Sequence, residues 1–360
     1  MKKLSVNIKT ELKNYPIMVG QDLFGKMSKL VNLSKYSSIF LITDTNVDIY
    51  SSKLDIPKNL IKAKYIFEAG EKAKSLQTVE KILTMLADNN ADRKSLAINL
   101  GGGVATDLGG LVASLYQRGM DFLNISTTIE GMVDASVGGK TGVNLGNNKN
   151  YVGTFSQPIA VIIDVDTLDT LDDRNFIAGW AEVIKHGLIR DSQYFKFVVA
   201  KHIRKYSKAE LVDIIARSCE IKAQVVENDE KEGGLRKILN FGHTIGHAIE
   251  SLSFDTNYPL LHGEAIAIGM IAEAYISLRL GKVTQQEFNE IQKGIQNVGL
   301  PIGIEDLEIS QIQKLILKDK KNDAGVIKWT LLNSIGKCEF DVIVEDMNIV
   351  DEAIRHILLP

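Results

Sequence analysis

The chain is poor in cysteine. Its 360 residues hold two, Cys219 and Cys338. They are far apart and fit no metal-ligand spacing, so a reduced, cytoplasmic setting is expected. An excess of either charge is also missing: Lys plus Arg is 42, Asp plus Glu is 45 and the net charge is −3. With no long basic run, neither a nucleic acid nor a membrane surface is an expected partner. The N-terminus, MKKLSVNIKTEL, has charge but no apolar h-region, and so does not read as a signal peptide. No uncharged apolar run reaches the roughly 18 residues that a membrane span needs. The nearest, 263–280, is interrupted by Glu264, Glu273 and Arg279 and reads as a buried core helix.

What is present is the material of a soluble globular protein. Apolar residues make up 45% and charged residues 24%, and the length suits one large or two ordinary domains. The first half alternates short β-rich runs with helical patterns. Strands are expected at Leu4–Ile8, Tyr15–Val19, Ile39–Thr43, Lys64–Phe67, Leu96–Leu100, Phe122–Ile125 and Ala160–Ile163. Helices are expected from Ser75 to about Asp88 and from Val104 to Arg118. This is the rhythm of an open α/β sheet, whose ligands gather at the carboxyl ends of strands. After about Leu171 helical periodicity dominates, as in Asn175–Ile189, Ser207 to about Asn228, Gly263–Leu280, Thr284–Val298 and Met347–Ile357, with a short strand near Ile327–Leu332. An α/β domain, residues 1–171, followed by a helical domain, residues 172–360, is the expected organisation.

Four segments carry chemistry. The Gly101–Gly103 turn joins a strand to a helix, where backbone amides favour an anion and absent side chains let it approach. The ordinary dinucleotide fingerprint fails because Thr106 occupies the third glycine position. Even so, three glycines followed by Asp107, Gly109 and Gly110 exceed the needs of a plain turn and favour a nucleotide. The run SVGGKTGVN, 136–144, lacks the first glycine of a phosphate-binding ATPase loop, since position 134 is Asp. Lys140 is still well placed to meet an anion, and Lys149 and Asn150 follow in a polar loop. The third segment, 236–264, holds His243, His247 and His262, with Gly242, Gly246 and Gly263 clearing space beside them. His243 and His247 are four apart and share a helical face, a common way to present two imidazoles to a metal. Glu182, in WAEVIKHG, could supply a carboxylate to two of the three histidines and leave a coordination position open. Lys185, Lys222, Arg236 and Asn240 add groups suited to a phosphate or carboxylate substrate.

Taken in order, the motifs TDTNV (43–47), GEKAKS (70–75), GGGVATDLGG (101–110), VDASVGGKTGVN (133–144), GWAEVIKHG (179–187), LNFGHTIGHAIE (239–250), LHGEAIAIGM (261–270) and KDKKNDAG (318–325) cover nearly the whole chain. The chain resembles the 3-dehydroquinate synthase family of sugar phosphate cyclases. The resemblance implies a Rossmann-like N-terminal α/β domain, an all-α C-terminal domain and an active site between them. It also implies tightly bound NAD, a divalent metal (zinc or cobalt) and a homodimer. The implied metal ligands are Glu182, His243 and His262. The implied NAD contacts are Asp44, Asn46, Glu71, Lys74, Gly101, Gly102, Gly103, Asp107, Thr127 and Thr128, with Lys140 and Lys149 near the cofactor as well. The substrate would meet Asp134, Lys140, Asn150, Lys185, Lys222, Arg236, Asn240, His247 and one lysine of the 320–321 pair. Arg236 and Asn240 are expected on the helix of His243, within two turns of it.

The implied reaction converts 3-deoxy-D-arabino-heptulosonate 7-phosphate to 3-dehydroquinate. A ring carbinol is oxidised transiently by NAD, phosphate leaves by β-elimination, the hydride returns, the ring opens and an intramolecular aldol step closes the carbocycle. Related cyclases that act on substrates without a carboxylate are disfavoured. Burying Arg236 and Lys222 with no anion would cost on the order of 3–5 kcal/mol. A polyol dehydrogenase is disfavoured by the lysines around 133–150, and a non-catalytic regulator by the full polar set. The chain departs from the family pattern at Ser126 and Glu130, at Leu171-Asp172-Asp173-Arg174-Asn175 and at His186, where tyrosine is common. None of these is an implied ligand.

Overall fold

A computed structural model describes residues 1–8, 13–146, 148–317 and 326–359. Among these the chain forms two compact units: 1–171 with 208–230, and 172–207 with 231–360.

The first unit holds strands β1 (Lys2–Ile8), β2 (Lys13–Gly20), β3 (Ile39–Asp44), β4 (Ile61–Phe67), β5 (Leu96–Gly101), β6 (Asp121–Ser126), β7 (Lys140–Leu145), β8 (Asn148–Phe155) and β9 (Ala160–Asp164). Seven of them form one sheet in the order β1-β2-β9-β6-β5-β3-β4. All neighbours are parallel except the edge pair β1 and β2. The interior strands are apolar on both faces, as a covered parallel sheet requires. Period-two alternation divides them between two cores. Ile39, Leu41, Ile98, Leu123 and Ile125 face one layer, with Phe24, Met27 and Tyr50. Phe40, Ile42, Ala97 and Phe122 face the other, with Ile82, Leu86, Leu108 and Val112. That second layer comes from two helices of the unit, which follow a short α1 (Met27–Leu30): α2 (Leu76–Asp88) and α3 (Gly103–Leu115). Ser75 caps α2, its Oγ accepting the Thr78 amide at 3.3 Å.

From β3 the chain steps outward to β4, then returns to β5 on the other side of β3. The strand order therefore reverses between the carboxyl ends of β3 and β5, the usual place for a ligand in an open parallel sheet. Asp44 ends one of these strands and Gly101 the other.

The second unit is mainly helical: α4 (Asp173–Arg190), α5 (Ser192–Val198), then, after α6 (Lys208–Asn228) of the first unit, α7 (His243–Ser253), α8 (His262–Arg279), α9 (Gln285–Asn297), α10 (Ile309–Leu317) and α11 (Met347–Ile357). It also carries an antiparallel hairpin, β10 (Trp329–Ser334) with β11 (Lys337–Val342), so it is not purely helical. Asp172 caps α4 through the Asn175 amide at 3.0 Å, and Arg174 grips Glu264 at 2.8 and 2.7 Å. The unusual Leu-Asp-Asp-Arg-Asn run thus starts one helix and fixes it to the start of α8.

Three expectations change. A single division after residue 171 does not describe the chain, because α6 lies with the first unit. It packs on β1 and β2, and Glu227 takes both the backbone and side-chain N–H of Asn7 at 2.8 and 3.0 Å. Lys149 and Asn150, expected in a polar loop, lie on β8, which pairs with β7 as a β-hairpin. Its Gly and Asn content hides the strand pattern. Finally, Arg236 and Asn240 do not share the helix of His243. They lie in a 3-10 turn, Leu235–Asn240, and Gly242 at φ +82° breaks the chain before α7.

Candidate active site

In the first unit the polar groups gather at the carboxyl ends of the parallel strands. Asp44 Oδ1 accepts the amides of Asn46 at 2.9 Å and Val47 at 3.0 Å, closing the TDTNV turn. Burial raises the Asp44 carboxyl, and these two bonds only partly oppose it. Gly102 caps α3. A Cβ there would sit 2.9 Å from Thr128 Cγ2, and one on Gly101 would sit 2.6 Å from Ala105 Cβ. These glycines let the turn pack against Thr128 and Ala105, and the backbone amides at the start of α3 suit an anion. Thr127, whose amide donates to Gly101 O at 3.0 Å, has a buried Oγ1 without a protein partner. This cradle fits a dinucleotide phosphate.

Around the cradle, Lys74 and Asp107 form an almost buried ion pair at 2.6 Å. Burial opposes the Lys74 charge, but attraction to Asp107 and Glu71 outweighs it and raises the lysine. Asn144 Nδ2 donates to Glu71 Oε1 at 2.8 Å. Asp134 lies in a π-turn, Gly131–Ala135, and pairs with Lys222 of α6. The lysine also donates to the Asp134 carbonyl at 2.6 Å. Lys140 opens β7, while Lys149 and Asn150 lie on β8.

In the second unit α4, α7 and α8 converge. Glu182, 1% exposed, has one oxygen paired with Lys185. Its other oxygen lies 3.7 Å from His243 Nε2 and 3.8 Å from His262 Nε2. The third imidazole, His247, stands with its ring centre 5.1 Å from that of His243 and 5.8 Å from that of His262. Bonds of about 2.0–2.1 Å at tetrahedral angles put zinc donors roughly 3.3 Å apart. The Glu182–His243 and Glu182–His262 distances are slightly longer than that; one nitrogen of each of His243, His247 and His262 also lies within 4.8 Å of the others, and a set of imidazole and carboxylate donors suits zinc.

The far side of each ring is also held. His243 Nδ1 lies 3.1 Å from the Phe241 carbonyl, and His262 Nδ1 lies 3.3 Å from Glu250 Oε2. Such partners fix a ring's tautomer and orient its other nitrogen. Glu273, fully buried on α8, accepts the amides of Gly242 at 2.6 Å, Thr244 at 3.0 Å and Ile245 at 3.2 Å. It caps the helix that begins at His243.

Glu250, Glu273 and Glu232, which accepts from Asn240 Nδ2 at 2.6 Å, all escape sequence reasoning. For Glu250 a signal exists: it follows His247 by three and His243 by seven, on the same helical face. The other two leave no local signal. The glycines near the histidines serve the helices instead of the rings. A Cβ on Gly246 would sit 2.8 Å from Ile266 Cδ1, and one on Gly263 would sit 1.9 Å from the Ala178 carbonyl. Arg236 is almost fully buried. The Lys320/Lys321 pair lies outside the described residues.

Solved structures share this architecture. A 2-deoxy-scyllo-inosose synthase complexed with carbaglucose-6-phosphate, NAD+ and Co2+ superposes with a TM-score of 0.87 at 24% identity, covering 98% of this chain and 99% of the other. A 2-epi-5-epi-valiolone synthase from Streptomyces hygroscopicus, with NAD+ and Zn2+ bound, gives 0.81 at 26% identity over 95% and 96% of the two chains. The fold is thus that of the sugar phosphate cyclases. Within that class, family models described as 3-dehydroquinate synthase N-terminal and C-terminal match residues 64–178 and 179–322. The 3-dehydroquinate synthase of Thermoanaerobacter pseudethanolicus is 41% identical over 348 residues, covering 95% of this chain and 97% of that protein. The chain belongs to the 3-dehydroquinate synthase family.

Proposed function

We propose that the chain acts as a 3-dehydroquinate synthase, converting 3-deoxy-D-arabino-heptulosonate 7-phosphate to 3-dehydroquinate and phosphate in aromatic amino acid biosynthesis. The observation that carries the reading is the Glu182 oxygen set 3.7 and 3.8 Å from two imidazole nitrogens, in a member of this family. Glu182, His243 and His262 hold a divalent ion, zinc or cobalt, which when bound supplies Lewis acidity to a substrate oxygen. The first unit holds NAD, which when bound takes up and returns one hydride.

The rest falls to the chain's own residues. Asp44, Asn46, Glu71, Lys74, Asp107, Thr127 and Thr128 surround the cofactor, and Gly101, Gly102 and Gly103 bring backbone amides to its phosphates. Lys140 and Asn150 hold the substrate phosphate, with Lys149 near both ligands. Arg236 reads the substrate carboxylate with its planar fork, helped by Lys222; because Asp134 already compensates the buried Lys222 charge, the case against an uncarboxylated substrate rests on Arg236 and not on Lys222. Lys185 and Asn240 hydrogen-bond the substrate. His247 moves a proton or donates a hydrogen bond, work suited to imidazole near neutral pH. No helix among the described residues is long and apolar enough to cross a membrane. Our reading extends to a cytoplasmic homodimer, in keeping with the family resemblance.

The test is to incubate the protein with the heptulosonate phosphate, NAD and zinc and to follow phosphate, dehydroquinate and NADH. Phosphate and dehydroquinate are expected in equal amounts without net NADH. Persistent NADH from a polyol would mark a dehydrogenase instead. Phosphate release confined to uncarboxylated sugar phosphates would mark another cyclase.

A further inference from the structure

We propose that Asn144 is a positioning residue that sets the nucleotide-side loop, residues 70–75, and the substrate-side Asn150 with a single side chain. The hairpin register isolates it. Val143 pairs with Val152 and Leu145 with Asn148, so Asn144 faces three residues of β8, numbers 149–151. Extra residues on one strand make a bulge, which bends the strand and re-aims its side chains. Asn150 sits in this bulge at φ +50°, a conformation asparagine tolerates better than most residues. Its N–H donates to Asn144 Oδ1 at 2.8 Å.

The other face of the same amide points to the loop. Asn144 Nδ2 donates to Glu71 Oε1 at 2.8 Å, and the Asn144 backbone N–H donates to the Lys74 carbonyl at 2.9 Å. Ser75 and Asn144 form a parallel β-bridge. Lys74 in turn is paired with Asp107 on α3, the helix that opens at the glycine turn. An amide carries a donor and an acceptor on one planar group, and Asn144 uses both. A carboxylate there would keep the acceptor for Asn150 and repel Glu71. A methyl would lose both bonds.

The inference rests on the proposed function, which puts Glu71 and Lys74 at NAD and Asn150 at the substrate phosphate. It predicts a split between two isosteric or smaller substitutions. With the zinc-loaded enzyme, calorimetric titration with NAD and the KM for the heptulosonate phosphate at saturating NAD are measured for wild type, Asn144→Asp and Asn144→Ala. Asn144→Asp is expected to weaken NAD about tenfold, as for a lost hydrogen bond to a charged group, while KM stays within twofold. Asn144→Ala is expected to weaken both by about tenfold. A polarity swap supplies the control. Adding Glu71→Gln to Asn144→Asp lets the introduced amide donate to the introduced carboxylate, so the double variant should bind NAD no more weakly than Glu71→Gln alone.

Wild-type NAD affinity in Asn144→Asp overturns the link, as does an Asn144→Ala change confined to one ligand. A double variant that simply multiplies the two single losses overturns it too. Failure of the wild-type enzyme to bind NAD would instead overturn the proposed function.

Discussion

Glu273→Gln isolates how the metal-side helix is held. The Glu273 carboxylate accepts three amides at the start of α7, at 2.6, 3.0 and 3.2 Å. A glutamine keeps one oxygen, Oε1, which can still serve Thr244 and Ile245. Its NH2 group then faces the Gly242 N–H, donor against donor. The lost charge-assisted bond is worth about 1.5–3 kcal/mol. The lost charge at a helix N-terminus adds about 0.3–2 kcal/mol. A local destabilisation of about 3 kcal/mol follows, on the order of a hundredfold in the opening equilibrium of the first turn. Amide hydrogen exchange reads this directly: Thr244 and Ile245 should exchange on the order of a hundred times faster, while amides in β5 stay protected. His243 begins the turn, so zinc affinity measured by chelator competition should fall with it. Unchanged exchange at Thr244 and Ile245 would refute the argument, because the carboxylate would then be no cap.

Further outcomes bear on the same unit. Glu250→Gln should weaken zinc by about 10–100-fold, the usual effect of losing a partner behind a ligand histidine, with circular dichroism unchanged; wild-type affinity in a competition titration would remove Glu250 from the site. His243→Ala should abolish zinc binding and His247→Ala should retain it, read from metal content after gel filtration. Loss of zinc from the second variant would reverse the ligand choice. Glu287→Ala should cost about 1 kcal/mol, because Glu287 Oε2 accepts from the Thr284 amide and hydroxyl, both at 2.9 Å. Burial pushes the Glu287 carboxyl up, but its bonds to Thr284 and the Ile335 amide outweigh this and hold it below the ordinary value of 4.5. The folded value lies below the unfolded one. The stabilisation is therefore fully present above about pH 4.5 and is lost as pH falls through the folded value. Melting curves of wild type and variant should converge on the acid side.

The parallel sheet was legible because its signals are local. Strands such as Ile39–Asp44 and Leu96–Gly101 are buried along their whole length, so they read as apolar runs between turn residues. The helix starts at Ser75 and Thr284 were legible for the same reason, and both residues cap the helix that follows. The β7–β8 hairpin was not, because glycine and asparagine replace the alternating pattern and a bulge interrupts the ladder. At the histidines, local spacing groups His243 with His247. His262 meets Glu182 of α4 and Glu250 of α7, and no spacing rule reaches across helices. The break at Gly242 was hidden by an unbroken helical pattern. Its positive φ serves a close approach, since a Cβ there would lie 2.5 Å from Met270 Cγ.

The placement of α6 sets a clock on synthesis. The first unit is continuous to residue 171, yet it is completed only by 208–230. A ribosome adding about 5–20 residues per second needs roughly 3–12 seconds to make the 59 residues from 172 to 230. During that interval the faces of β1 and β2 that α6 covers are bare on the nascent chain. A gene cut after residue 171 would make the same exposure permanent.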